Sequence, residues 1–184
     1  MPKYAYADNS LLHLLGAYVV SGVGSVLAIG LAFTVMFLPL PDLQLLVLTP
    51  LIQQVAKPIG VLWLLERRPL WFRSRAHVVA ACLLAGVVFG ILESLAWVGY
   101  MHLEGRTFAH FFGYRCAANM VMHAVSSGVL SIGLAMGYRA GYKHGLLEYR
   151  KLLPFFTAAV VIHIGLNGVL RYLSILRIVD VRMF

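Results

Sequence analysis

Length, composition and charge indicate a protein that resides in a membrane. Of its 184 residues, 61% are hydrophobic and only 12% are charged, and the mean hydropathy is +0.84. Soluble globular domains carry about 25% charged residues, so this composition excludes that class. The formal net charge of +8 comes from short basic segments between apolar runs, which is typical of topology determinants and argues against nucleic acid as a partner.

Five apolar segments predict an all-α, polytopic transmembrane helix bundle. Each is long enough for the roughly 20 helical residues that cross the hydrocarbon core of a bilayer. In chain order these spans cover residues 11–40, 43–65, 77–100, 115–138 and 154–173. The first is expected to stop at Pro39-Leu40-Pro41-Asp42. We expect residues 1–184 to form a single integral membrane domain.

The distribution of arginine and lysine predicts the orientation. Segments 66–76 and 139–151 are basic, so the positive-inside rule places them in the cytoplasm. Segments 41–43 and 101–114 carry little net charge and are expected to face outside. The N-terminus would then be cytoplasmic. No eukaryotic targeting signature is recognisable, which favours a prokaryotic inner (plasma) membrane.

The second span contains the polar motif Thr49-Pro50-Leu51-Ile52-Gln53-Gln54-Val55-Ala56-Lys57-Pro58. Gln53 and Lys57 are four residues apart and share a helix face, while Gln54 lies about 100° around the helix. Pro58 has no N–H to donate to the Gln54 carbonyl, which predicts a kink. A lysine near the bilayer centre costs about 2.5–3.5 kcal/mol, so we expect a functional site facing the bundle interior. The alternative is a snorkelling lysine near a helix end.

The third span carries a carboxylate. Glu93 lies on one stripe with Gly86, Gly90 and Trp97. A carboxylate in hydrocarbon must be protonated, paired or bound to a metal. A structural ion pair with Lys57 is one interpretation, and it is compatible with an active site.

The fourth and fifth spans carry matching polar residues at helical spacing. Arg115, Asn119 and His123 follow one another at intervals of four, and His163 and Asn167 share a face of the fifth span. A single histidine on an apolar helix is usually a hydrogen-bonded core residue. Two such histidines, each with an asparagine on its stripe, predict a shared intramembrane site.

These motifs resemble those of the PrsW family of glutamic-type intramembrane proteases. That family belongs to the superfamily of type II CAAX prenyl proteases and bacteriocin-processing membrane peptidases. The resemblance covers roughly residues 45–170 and rests on four motifs in order: Pro50-x-x-Gln53-Gln54-x-x-Lys57, Phe89-Gly90-x-x-Glu93, Arg115 with His123, and His163-x-x-x-Asn167.

The resemblance implies an intramembrane peptidase that acts on a transmembrane protein or peptide within the lipid bilayer. The site residues that it implies are Gln53, Gln54, Lys57, Glu93, His123, His163 and Asn167, with Arg115 and Asn119 in supporting positions. It leaves open whether a metal takes part. A divalent metal such as zinc is a candidate cofactor, with Glu93, His123 and His163 as candidate ligands.

One departure from the family pattern concerns the chemistry directly. The family motif begins E-E-x-x-K, and here both glutamates are replaced by Gln53 and Gln54. An amide does not accept a proton at neutral pH and cannot act as a general base. The chain as written is therefore expected not to cleave peptide bonds efficiently. Either the pair was changed deliberately, which two simultaneous near-isosteric replacements favour, or the chain is a natural non-catalytic member.

Two further function classes stay open. A non-catalytic scaffold could bind a transmembrane partner in the former active-site cleft, and glutamine as the native residue at positions 53 and 54 would favour it. A small redox protein could use His123 and His163 as axial haem ligands. That hypothesis leaves Lys57, Glu93 and the paired amides without a role.

Overall fold

The computed structural model describes residues 11–35, 43–103, 109–144 and 149–175. All regular structure in these ranges is helical, as the sequence predicts. Within them, five helical segments are long and apolar enough to cross a membrane, which indicates an integral membrane protein. The segments are Leu11–Thr34, Leu46–Arg67, Arg75–Tyr100, Cys116–Tyr138 and Tyr149–Val169.

In the described residues, the spans are built from six α-helices and two short helical turns of other types. The helices are α1 (Leu11–Val35), α2 (Thr49–Ala56), α3 (Ile59–Arg67), α4 (Arg75–Leu103), α5 (Ala109–His144) and α6 (Tyr149–Ile175). A π-helical turn at Gln44–Leu48 leads into α2, and a 3₁₀ turn at Pro69–Trp71 follows α3.

The predicted kink at Pro58 is confirmed as a break between α2 and α3. The backbone N–H of Lys57 still donates to the Gln53 carbonyl at 3.0 Å, and that of Leu62 donates to the Pro58 carbonyl at 2.8 Å. Between these two bonds Pro58 has no N–H to offer Gln54, so the regular helical pattern is interrupted. The second span is therefore interrupted at Lys57 and Pro58.

Several helices extend beyond their predicted bounds. The predicted loop 101–114 is helical at 101–103 and 109–114, and α6 begins at Tyr149 with Pro154 inside it. A proline near a helix start removes only one intrahelical donor, so α6 continues through it. The predicted stop at 39–42 and the tail after residue 175 lie outside the described residues.

The helices pack as a closed ring of five spans. Helix α1 contacts α2, α3 and α4; α4 packs along α5; α5 packs on α6; and α6 returns to α2. The main apolar core lies at the α3 end of the bundle, and its buried residues include Val61, Leu64, Phe72, Val78, Ala81, Leu130, Leu134 and Ala159. The polar residues described below lie nearer the α2 end.

Glycines allow close helix contacts, and Gly60 and Gly90 are two of them. A Cβ atom at Gly60 would clash with the carbonyl oxygen of Val20, and one at Gly90 would lie 2.8 Å from the backbone nitrogen of Met120. Real Cβ atoms do not approach other atoms so closely. The contact of α3 with α1 therefore requires glycine at position 60, and that of α4 with α5 requires glycine at position 90. Small residues at helix interfaces serve this purpose in membrane proteins.

One end of the bundle is fastened by hydrogen bonds from tyrosines. The Tyr138 hydroxyl of α5 donates to the Phe72 carbonyl at 3.0 Å, and the Tyr149 hydroxyl contacts the Glu66 carboxylate. These contacts place the segment after α3 beside the start of α6. The two basic segments therefore lie at the same end of the molecule, as alternating spans require.

Candidate functional site

A cluster of polar side chains from four spans lies inside the bundle. We call it the central polar cluster: Gln53, Gln54, Lys57, Glu93, Asn119, His123 and His163. The side chain of Glu93 is 14% exposed, and the other six residues are buried. The sequence predicts a shared intramembrane site from these residues, and the structure brings them together. Their chemical role stays a prediction.

The carboxylate of Glu93 is the negative group of the cluster, and three side chains surround it. Its Oε1 accepts a hydrogen bond from Gln53 Nε2 at 2.8 Å. Its Oε2 lies 2.8 Å from His123 Nε2 and accepts from Asn119 Nδ2 at 3.3 Å. Three donors that converge from two helices match the acceptor capacity of an ionised carboxylate. Glu93 is thus held from α2 on one side and from α5 on the other.

The imidazole of His123 lies between the two opposite charges. Its Nδ1 is 3.2 Å from Lys57 Nζ, and its Nε2 faces Glu93. An ammonium group has donors only, so when Lys57 is charged Nδ1 accepts and the Nε2–H donates to the carboxylate. This tautomer satisfies all three groups at once. The charges that the sequence predicts to pair are therefore linked through a histidine.

Lys57 has further contacts that account for its burial in the middle of the bundle. Its ammonium donates to Ser126 Oγ at 3.3 Å and lies 5.6 Å from the centroid of the Phe89 ring. A cation over an aromatic face is attracted by the ring quadrupole. The Phe89 ring also packs against the His123 ring in a T-shaped arrangement, with centroids 4.8 Å apart. The snorkelling alternative is therefore wrong, because the lysine is buried at a helix break.

Gln54 faces a different partner from Gln53. Its Nε2 lies 3.1 Å from Nδ1 of His163, whose ring makes an edge contact with that of His123 at 5.0 Å between centroids. The side-chain oxygens Oε1 of Gln53 and Gln54 are both buried and have no hydrogen-bond donor among the described residues. Buried acceptors of this kind are usually satisfied by water or a ligand.

Two predicted residues lie at the margin, and one contact was not foreseen. Asn167 is half-buried one turn beyond His163, and the side chain of Arg115 lies outside the described part of the chain. Ser94 accepts from Asn119 Nδ2 at 3.1 Å and donates to the Gly90 carbonyl at 2.8 Å. The sequence signal that could have predicted this contact is a serine directly after Glu93 and four residues after Gly90.

The cluster does not fit the metal or haem sites that the sequence leaves open. Among the described residues, no group of three or more His, Cys, Asp and Glu side chains is arranged to hold a metal ion. Glu93 and His123 bond to each other, and Nδ1 of His163 faces Gln54. Both ring nitrogens of His123 are engaged and its ring touches that of His163, so the pair does not fit the two sides of a haem.

The cluster can hold charge and hydrogen bonds in a buried environment. Lys57 and the histidines can stabilise developing negative charge, while the two amides donate and accept hydrogen bonds without taking up a proton. No family model matches the sequence, and no curated protein or solved structure is significantly similar to the chain.

Proposed function

We propose that this chain is the scaffold of an intramembrane peptidase of the PrsW type, in a form that does not hydrolyse peptide bonds. The observation that carries this proposal is the convergence of Gln53, Gln54, Lys57, His123 and His163 from three spans into one buried cluster. Helices in a bilayer gain nothing from burying such groups without partners or a task. Each of the four motifs that carry the family resemblance contributes at least one residue to the cluster.

The reaction would be hydrolysis of an amide bond in a membrane-embedded substrate. In the glutamate form, a carboxylate of the pair takes a proton from water, and the water oxygen adds to the scissile carbonyl carbon. The C–N bond then breaks as the proton passes to the leaving amine. Lys57 and the two histidines would stabilise the negative charge on the carbonyl oxygen. Gln53 and Gln54 cannot accept this proton, because an amide is not a base at neutral pH.

The substrate class follows from the location of the cluster. A cluster within the spans is reached by a transmembrane protein or peptide from the bilayer, while water must enter from one membrane face. The partial exposure of Glu93 supports access at its side of the cluster. We propose a cytoplasmic N-terminus on the basis of the basic segments, in the prokaryotic inner membrane that the sequence analysis favours.

The test compares this chain with its Gln53→Glu/Gln54→Glu variant on a panel of transmembrane substrates in native-host membranes. The double variant is expected to cleave and the parent chain is not. A third protein that also carries His163→Ala provides the matched control, since it keeps the carboxylates and loses one histidine. A folded double variant that cleaves none of the panel would refute the peptidase proposal.

A second candidate function is a non-catalytic scaffold that binds a transmembrane partner. The buried and unpartnered Oε1 atoms of Gln53 and Gln54 favour it, because they can accept hydrogen bonds from a bound segment. Photo-crosslinking from Leu51, an exposed neighbour on α2, tests this function in native membranes. A specific crosslinked partner that is lost in Gln53→Met/Gln54→Met would support it, and an unchanged crosslinking pattern would oppose it.

A further inference from the structure

The two adjacent glutamines of the cluster have opposite electrostatic surroundings. Gln53 donates to a carboxylate, whereas Gln54 donates to an imidazole. We propose that the two positions are not equivalent: Gln53 is a positioning residue that fixes Glu93, and only position 54 can hold an ionised carboxylate. The catalytic part of this inference, that position 54 is the site of the base, rests on the proposed peptidase function.

The argument for position 53 depends on the shape of an amide. The Nε2 end of Gln53 lies 2.8 Å from Glu93 Oε1, and its Oε1 end points elsewhere. A carboxylate has two identical oxygens, so rotating the side chain of a glutamate would not remove an oxygen from this contact. Two negative charges at hydrogen-bond distance repel strongly in a low-dielectric interior. A glutamate at position 53 would have to share a proton with Glu93.

The arrangement around Glu93 gives the Gln53 amide a definite role. Oε2 of Glu93 is held from α5 by Asn119 and His123, and Gln53 holds Oε1 from α2. The carboxylate is thus fixed between two helices, with His123 aligned to Lys57 behind it. Without the Gln53 donor, Glu93 would lose this hydrogen bond from α2.

Position 54 favours a carboxylate for the converse reason. Gln54 Nε2 lies 3.1 Å from His163 Nδ1, and a neutral imidazole can carry its proton on either nitrogen. A glutamate there would accept a hydrogen bond from an Nδ1–H of His163. The charged groups nearest to this position, Lys57 one turn along the span and His123 beside His163, are basic or neutral. A negative charge at position 54 therefore gains a donor and meets no second carboxylate in these contacts.

The experiment is a pair of double-mutant cycles read by thermal unfolding in matched detergent. Gln53→Glu should lower the midpoint temperature by roughly 5 °C, while Gln54→Glu changes it by less than half as much. Glu93→Gln should lower the midpoint in the parent chain and in the Gln54→Glu background. In the Gln53→Glu background it should raise the midpoint, because it restores one donor and one acceptor to the contact.

The sign reversal is the decisive result. A general loss of packing at position 53 would not be rescued by changing Glu93, so rescue separates positioning from a merely structural role. Equal effects of the two single variants, or no rescue by Glu93→Gln, would overturn the inference.

Cleavage assays on the same proteins separate this inference from the proposed function. Gln54→Glu should recover most of the kcat/KM of the double variant, and Gln53→Glu should recover little. Activity in Gln53→Glu without activity in Gln54→Glu would overturn the assignment of the base. If the single and double variants are all inactive, the peptidase proposal fails, and the thermal cycles alone decide whether Gln53 positions Glu93.

Discussion

His123 is the residue on which the electrostatics of the cluster depend. It faces a buried ammonium with one nitrogen and a carboxylate with the other, at 3.2 and 2.8 Å. Neither charge is stable in hydrocarbon by itself, because removing an ion from water costs several kcal/mol. The imidazole joins them into a neutral unit, so the loss of any one of the three groups removes a hydrogen-bond or charge partner from the other two.

Lys57→Met tests this dependence directly. Breaking a buried charge pair by removing one partner costs about 3–5 kcal/mol of unfolding free energy, and we expect a loss in this range. Adding Glu93→Gln should recover part of the loss, since the remaining negative charge is then removed. Arg150→Met, at an exposed position at the start of α6, is the control and should change stability by less than about 0.5 kcal/mol. Reversible unfolding in mixed micelles measures all four proteins.

The sequence predicts which residues meet but not how they pair. Polar side chains in a bilayer are driven toward the bundle interior, so the inward positions of Gln53, Glu93 and His123 follow from hydropathy alone. The pairings depend on the rotation of α2 before the break at Pro58, which no local pattern records. Because of that rotation, Gln53 contacts Glu93 and Gln54 contacts His163. The direct contact of Asn119 with Glu93 depends on how α4 packs on α5, which no local pattern records either.

At the scale of the elements, the contact between α4 and α5 determines where Glu93 lies. Gly90 is one turn before Glu93, and a Cβ there would lie 2.8 Å from the Met120 nitrogen and 2.9 Å from the Asn119 carbonyl oxygen. The helices are thus close enough for Glu93 to reach both Asn119 and His123. A larger residue at position 90 would separate them at the cluster.

Gly90→Ala tests this role of close packing. Overpacking a tight contact costs about 1–3 kcal/mol, and the backbone atoms of α5 cannot move aside as a side chain would. Gly99→Ala on the same helix is the matched control, because a Cβ there meets nothing within 4 Å. The control should be neutral or more stable by up to about 1 kcal/mol. Equal melting temperatures for the two variants would show that α4 and α5 are not held this closely.

Helix ends were harder to predict than helix centres. Hydropathy marks where a chain leaves the hydrocarbon, whereas a helix continues as long as its backbone hydrogen bonds do. Helices α4 and α5 therefore extend beyond the apolar runs at 77–100 and 115–138. The break at Pro58 was predictable because its cause, a missing N–H, is local.

At the scale of the whole molecule, the ring of spans brings the two basic segments to the same end of the bundle. The contact of Tyr149 with Glu66 places the end of α3 beside the start of α6, where Arg67, Arg68, Arg150 and Lys151 are exposed. Basic residues near the ends of spans remain in the cytoplasm during insertion. The proposed orientation follows from these two facts together.

Cysteine labelling tests the orientation. In a background with Cys82→Ala and Cys116→Ala, cysteines at positions 68 and 150 should react with an impermeant maleimide only from the cytoplasmic side. A cysteine at position 104 should react only from the outside. Labelling at positions 68 and 150 from outside would invert the orientation, and labelling at these two positions from opposite sides would contradict the ring of spans.

The break at Lys57 and its contacts also constrain biogenesis. Residues of the second span are synthesised early, yet Gln53 finds its partner 40 residues later, Lys57 finds His123 66 residues later, and Gln54 finds His163 109 residues later. During insertion this span carries two amides and an ammonium into the bilayer before those partners exist. Its polar groups reach their final contacts only when the fifth span has arrived, so this early span keeps an unpaired amide until His163 is inserted.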